Sequence, residues 1–122
     1  MAQEFTDTAK QVMLDELENN YTTLYVSAHT GSPGLTGANE VSGGSYARQA
    51  LSYNAASGNS KTTSATATIP IPSGTTVSYL GLWSAVTAGV FLGQVDITDE
   101  VFGSDGNLDV TAFTLALDQD PA

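Results

Sequence analysis

A mainly β fold, a single β-sandwich or jelly-roll-like domain led by a short N-terminal α-helix, is what the sequence predicts, and three observations predict it. From residue 22 to residue 117 the apolar residues fall in short runs of period two, separated by Gly, Pro and Asn. Small hydroxylated residues are abundant, with 28 Ser and Thr beside 12 Gly, while charged residues make up only 13%, about half the ~25% of an average soluble domain. Hydrophobic residues nevertheless reach 41%, which closes a core and argues against a disordered chain. A length of 122 residues suits one domain with one core. The expected division is a helix or arm over 1–20 and a β-sandwich over 21–122.

The helix comes first. Thr6 or Asp7 can accept a hydrogen bond from a free backbone N–H and so begin it. Phe5, Ala9, Val12, Met13 and Leu17 recur at the spacing of one helical face, and Leu14 falls off that stripe. Asn19 and Asn20 supply a stop, because Asn tolerates the left-handed conformation used at helix ends. Asp15, Glu16 and Glu18 crowd the last turn, where the helix dipole disfavours acids, so packing must hold this helix. Two roles stay open for its stripe: capping the core, or docking on a neighbouring subunit through Phe5, Val12, Met13 and Leu17.

The strands follow. Leu24, Val26 and Ala28 alternate with Tyr25, Ser27 and His29, the second set facing outward. Residues 30–39 are a Gly- and Pro-punctuated loop. Glu40 to Tyr53 invites a hairpin about Gly43-Gly44-Ser45, which sets Glu40 opposite Arg48, either as a cross-strand ion pair or as two unrelated solvated charges. Thr62 to Ile69 alternates small and hydroxylated residues and ends at Pro70-Ile71-Pro72-Ser73-Gly74, since Pro cannot donate to a ladder. Val77 to Trp83 and Val90 to Ile97 form a central hairpin turned at Ala88-Gly89, and Leu108 to Leu117 is the last strand. Six or seven short strands result.

Charge and composition exclude several functions. The net charge is -10, and no Cys occurs, which removes disulfides, thiol catalysis and Cys-ligated metals. Nucleic-acid binding by counterion release needs clustered Lys and Arg, and the chain has three basic residues. No stretch reaches the ~20 apolar residues of a membrane span, and no signal-peptide pattern opens the chain. Neither nucleic acid nor membrane is therefore an expected partner. The acids are segregated, five in residues 1–20 and seven in 96–122, with Glu40, Arg48 and Lys61 the charged residues of the 75 between.

Little points to catalysis or cofactors. His29 is the single histidine, no nucleophile motif accompanies it, and no phosphate-binding glycine loop occurs. No cofactor is expected. Asp105, Asn107 and Asp109 alternate like the first ligands of a calcium loop but lack its sixth-position Gly and its twelfth-position Glu. They make a weak Ca²⁺ candidate beside the plainer reading of a solvated turn. Trp83, set among Val77, Leu80 and Leu82, reads as core. A carbohydrate-binding β-sandwich that stacks sugars on Trp83 or on surface Tyr is the alternative function. Asn20-Tyr21-Thr22 matches a glycosylation sequon, read as chance without a secretion signal.

Two blocks of sequence carry a resemblance. The first runs Leu24-Tyr25-Val26-Ser27-Ala28-His29-Thr30, Pro33-Gly34, and then Gly37-Ala38-Asn39-Glu40-Val41-Ser42-Gly43-Gly44-Ser45-Tyr46-Ala47-Arg48-Gln49. The second is Gly81-Leu82-Trp83-Ser84-Ala85 with Gly89-Val90-Phe91-Leu92-Gly93. Together they resemble a family of small tailed-bacteriophage virion proteins, commonly labelled tail fibre or minor tail proteins, over most of residues 12–117. The resemblance implies a non-enzymatic structural protein of the virion, β-rich, assembled in the host bacterial cytoplasm, with other virion proteins of capsid or tail as partners. It brings no catalytic residues. The chain is short for a fibre, which favours a tail adaptor or a capsid decoration protein. Small acidic β proteins of that second kind are commonly trimers, so a homo-oligomer is expected.

Overall fold

The structure, a computed structural model, describes residues 6–21, 23–52, 60–62, 67–110 and 114–116. Helix α1 spans Asp7–Asn20, and Thr6 caps it by accepting a hydrogen bond from the Ala9 N–H. The helix stops without a left-handed Asn. Tyr21, at φ -130° and ψ 85°, leaves the helical conformation and donates its N–H to the Leu17 carbonyl, while the Asn20 side chain donates to the Glu16 carbonyl and carboxylate. Leu14, the residue left off the predicted stripe, is the buried one, 4% exposed. Lys10, Leu17, Glu18 and Tyr21 flank it half-buried, and this face packs toward strand β3 (Ser60–Thr62). Val12 and Met13 point outward, Leu17 is shared between the two faces, and Phe5 lies outside the described residues.

Eight strands are seen among the described residues, all paired antiparallel. One sheet has the order β2-β1-β5-β6, where β1 is Leu24–His29, β2 Gln49–Leu51, β5 Thr75–Trp83 and β6 Phe91–Phe102. The second layer is the ladder of β4 (Ala67–Ile71) with β7 (Gly106–Val110), and β3 pairs separately with β8 (Thr114–Ala116). Of the predicted strand 62–69, Thr62 lies in β3 and residues 67–69 in β4, and of the predicted strand 108–117, residues 108–110 lie in β7 and Thr114–Ala116 in β8; the remaining residues of both lie outside the described residues. Pro70 sits inside β4 opposite Asn107 and does not end it. A two-stranded ladder leaves each strand a free side, where a missing N–H costs nothing.

The core lies between the two layers. Leu24, Val26 and Ala28 from β1, Leu51 from β2 and Leu80 and Leu82 from β5 meet Ala67, Ile69 and Ile71 from β4 and Val110 from β7. Full burial of each large aliphatic side chain contributes roughly 1.5–3 kcal/mol. Val77 also faces inward, because a register irregularity between Val77 and Tyr79 switches the alternation. The central hairpin is as expected, with Ala88 and Gly89 at positive φ in its turn. β6 runs five residues past the predicted end at Ile97, so Asp99 and Glu100 join Asp96 along the last strand of the sheet.

Residues 40–52 form no hairpin, and Tyr53, the predicted end of one, lies outside the described residues. Glu40 makes an isolated bridge with His29, residues 41–48 are irregular, and β2 pairs with β1 at Leu24–Val26. The outer face of β1 is not solvated either. Ser27 and His29 are both 0% exposed, because loop 30–39 folds back over that face of the sheet.

Candidate functional site

The residues behind the sheet form a second, polar cluster centred on Trp83. Pairing in the sheet places Ser27 opposite Gly81, Tyr25 opposite Trp83, and Trp83 opposite Phe91. The indole Nε1–H donates to Ser27 Oγ at 2.9 Å, and Ser27 Oγ lies 2.6 Å from His29 Nε2. His29 Nδ1 lies 2.7 Å from the Ala38 carbonyl. A carbonyl can only accept, so Nδ1 carries the proton, and in the neutral ring Nε2 accepts from the Ser27 hydroxyl. Every donor along the chain Trp83 to Ser27 to His29 to Ala38 therefore has an acceptor. This chain ties β5 and β1 to the far end of loop 30–39. The expectation that His29 faces outward is corrected by this geometry. It alternates along β1 as the sequence predicts, but the face it occupies is covered.

The pairing of Ser27 with His29 resembles a nucleophile beside a base. Both are fully buried, Nδ1 is turned to a carbonyl and not a carboxylate, and Gly81 closes against them. A Cβ at Gly81 would stand 2.5 Å from Ser27 Oγ and 2.6 Å from His29 Nε2. Among these atoms there is no room for a substrate.

Arg48 fills the rest of the cluster. Its guanidinium grips Glu40 bidentately, Nε to Oε2 at 2.8 Å and Nη2 to Oε1 at 2.9 Å. Its Nη1 donates to the carbonyls of Ala85 (3.0 Å) and Ala88 (2.8 Å). Its Cζ stands 3.7 Å from the centre of the Trp83 ring. The predicted pair thus forms by a different route from the predicted hairpin, and largely out of water, with the Arg48 side chain 8% and the Glu40 side chain 23% exposed. Tyr46 completes it: its hydroxyl donates to Glu40 Oε2 at 2.7 Å and accepts the Ala28 N–H at 3.1 Å. Burial and the Glu40 contact push the Tyr46 hydroxyl pKa well up.

Two groups here titrate with consequence for stability. Burial pushes His29 below its usual value, although the Ala38 carbonyl and Glu40 oppose the shift. Burial alone would raise Glu40, but hydrogen bonds from Arg48 and Tyr46 and the charge of Arg48 outweigh it and hold the carboxyl low. In both cases the unfolded chain takes up a proton before the native one, so stability rises with pH. The His29 contribution is whole above about pH 6.5 and falls as pH drops from there through its lowered native value; that of Glu40 follows below about pH 4.5. Melting temperature is expected to fall between pH 7.5 and 5.5 in the wild type. The fall is expected to be smaller in His29→Gln, and equal slopes in thermal scans would contradict the assignment.

Trp83 is 8% exposed, with Arg48 over its face and Phe91 edge-on at 5.1 Å. It offers no platform for a sugar ring. The acidic alternation is dispersed as well. Asp105 Oδ1 accepts from the Ser73 N–H at 2.8 Å, Asp109 Oδ1 accepts from Thr68 Oγ1 at 3.2 Å, and Asn107 lies opposite Pro70. Among the described residues, no group of three or more His, Asp or Glu could hold a metal ion.

Sequence reasoning found the Glu40–Arg48 pair but missed its tie to Trp83 and the Ser27–His29 chain. Gly81 inside the most apolar strand was the available signal, since a strand glycine often marks a close approach. The two blocks that carry the resemblance converge on this cluster. A family model described as podophage GP4 fiber I protein gp80 matches residues 4–117, and no curated protein matches the chain.

Proposed function

Because the chain belongs to the podophage GP4 fiber I protein family, a family of phage fibre-type structural proteins, we propose that it serves the virion as a small non-enzymatic subunit that binds other virion proteins. The match over residues 4–117 carries this reading. The cluster around Trp83 supports it, because its polar groups are spent on one another and on loop carbonyls. They shape a surface and leave no reactive group exposed. The finer role proposed is that of a tail adaptor or a capsid decoration subunit, folded in the host cytoplasm.

The docking element in this reading is the outer face of α1, with Val12 64% and Met13 39% exposed and Phe5 and Leu17 extending the stripe. Val12 and Met13 are exposed, unlike the residue that anchors the helix, Leu14. The test is Val12→Asp with Met13→Asp in the phage. Folding is expected to be unchanged by circular dichroism, and the subunit is expected to be depleted from gradient-purified particles. Wild-type incorporation of the double variant would remove the helix as the anchor. Absence of the wild-type chain from particles would remove the virion reading.

A further inference from the structure

We propose that loop 30–39 is a lid over Trp83, latched shut by His29 in its neutral form and released when that ring takes up a proton. The loop is a compact body whose ends lie together, with the Thr30 N–H donating to the Asn39 carbonyl at 3.0 Å. Its other bonds are largely internal. The Gly37 and Ala38 N–H groups donate to the Pro33 carbonyl, and the Asn39 side chain donates to the Ser32 carbonyl. Among the described residues its ties to the sheet are fewer. His29 Nδ1 donates to the Ala38 carbonyl, Ser32 Oγ donates to Gln94 Oε1, and Gly37 rests on Trp83 and Phe91. A body held together from within and fastened at few points moves as a unit once its strongest tie is lost.

One proton changes what the latch can satisfy. In the neutral state Ser27 Oγ accepts the indole N–H of Trp83 while the Ser27 hydroxyl donates to His29 Nε2. A proton on Nε2 turns that acceptor into a donor. Three hydrogens then crowd one oxygen, and the Ser27 hydroxyl has lost its acceptor. Gly81 packs against both side chains, and His29 is 0% exposed, so the charge cannot reach water while the lid is shut. The surroundings do not neutralise it. Glu40 favours the charged ring, but its carboxylate is already gripped by Arg48, which opposes that charge. Tyr46 is held protonated on Glu40. Tyr79 stands opposite His29 on β5, with Asp96 next in register on β6, and loop 30–39 itself carries no ionisable side chain. Lifting the loop lets water reach the imidazolium and resolves the conflict at Ser27.

The chain supplies its own probes. Trp83 is the single tryptophan and His29 the single histidine, so one indole N–H resonance reports the lid and one imidazole reports the proton. Hydrogen exchange of that indole in the purified full chain, corrected for its intrinsic rate, is the measurement. Opening by one proton gains at most about tenfold per pH unit below about pH 6.5. Protection of the indole is therefore expected to fall several-fold between pH 7.5 and 5.5, in step with the His29 ring resonances. The amides of the β4–β7 ladder are expected to exchange more slowly than the indole throughout, because the lid opens without unfolding the core. In His29→Gln, whose amide oxygen still accepts from Ser27, protection is expected to be indifferent to pH. Three results would each overturn the proposal: an indole whose protection is constant across this range in the wild type, an equal loss in a folded His29→Gln, or an indole that exchanges only together with the β4–β7 amides. The first and third are read on the wild type alone, so they decide the matter even where the variant fails to fold.

Discussion

Replacing Arg48 with alanine is expected to destabilise the protein by roughly 3–5 kcal/mol, the cost of stranding one partner of a desolvated ion pair. Among the described residues, the substitution leaves Glu40 largely buried with Tyr46 as its remaining side-chain donor, and it frees the Ala85 and Ala88 carbonyls and the face of Trp83 at once. Arg48→Lys is expected to recover little. An ammonium cannot grip a carboxylate with two parallel N–H groups, reach two carbonyls and lie flat on an indole together. Glu40→Gln with Arg48→Met, which removes both charges, is expected to be less damaging than Arg48→Met alone. Denaturant titration of the four corners of that cycle gives the coupling energy. A value near zero would show that the pair is incidental to the loops around it.

The second large effect is expected at Gly37. Its φ of +80° disfavours any residue with a Cβ, and the added carbon would stand 2.5 Å from Cη2 of Trp83 and close to Cζ2. Gly37→Ala therefore meets a backbone cost of about 1–2 kcal/mol and an overpacking cost of about 1–3 kcal/mol. A total loss of roughly 2–5 kcal/mol is expected. Gly34 is the internal control. It also has a positive φ, +61°, but open space around its Cβ position, so Gly34→Ala is expected to show the backbone cost alone. Comparable midpoints for the two variants in chemical denaturation would mean that loop 30–39 does not rest on the Trp83 ring as described.

Local chemistry made much of the fold legible. The helix start at Thr6, the first strand at Leu24, the Val77–Trp83 strand and the turn at Ala88-Gly89 each rest on residues adjacent in sequence. Capping, alternation and turn preference operate over a few residues, so a linear reading recovers them. Boundaries that depend on a distant partner were not recovered. Pro70 stays in a strand because of the particular side on which β7 pairs, and β6 extends to Phe102 because β5 offers a ladder as far as Thr75. The buried face of α1 was misassigned for a related reason. A helix with few aliphatics carries two weak stripes, and contact toward β3 selects the one through Leu14.

The candidate site shows the same division. Residue types alone established an acidic, Cys-free β domain with one His and with two opposite charges placed to meet. That much follows because composition and the period of two are properties of the chain itself. Only the tertiary structure decided that His29 is buried, that Arg48 lies on Trp83, and that Glu40 and Arg48 meet without a hairpin between them. Those facts hinge on loop 30–39 closing over the sheet. Such closure is a balance of close packing at Gly37 and Gly81 against the cost of burying charge and hydroxyl groups. The terms of that balance come from residues as far apart as Ser27 and Trp83, 56 positions from each other, which no local pattern records.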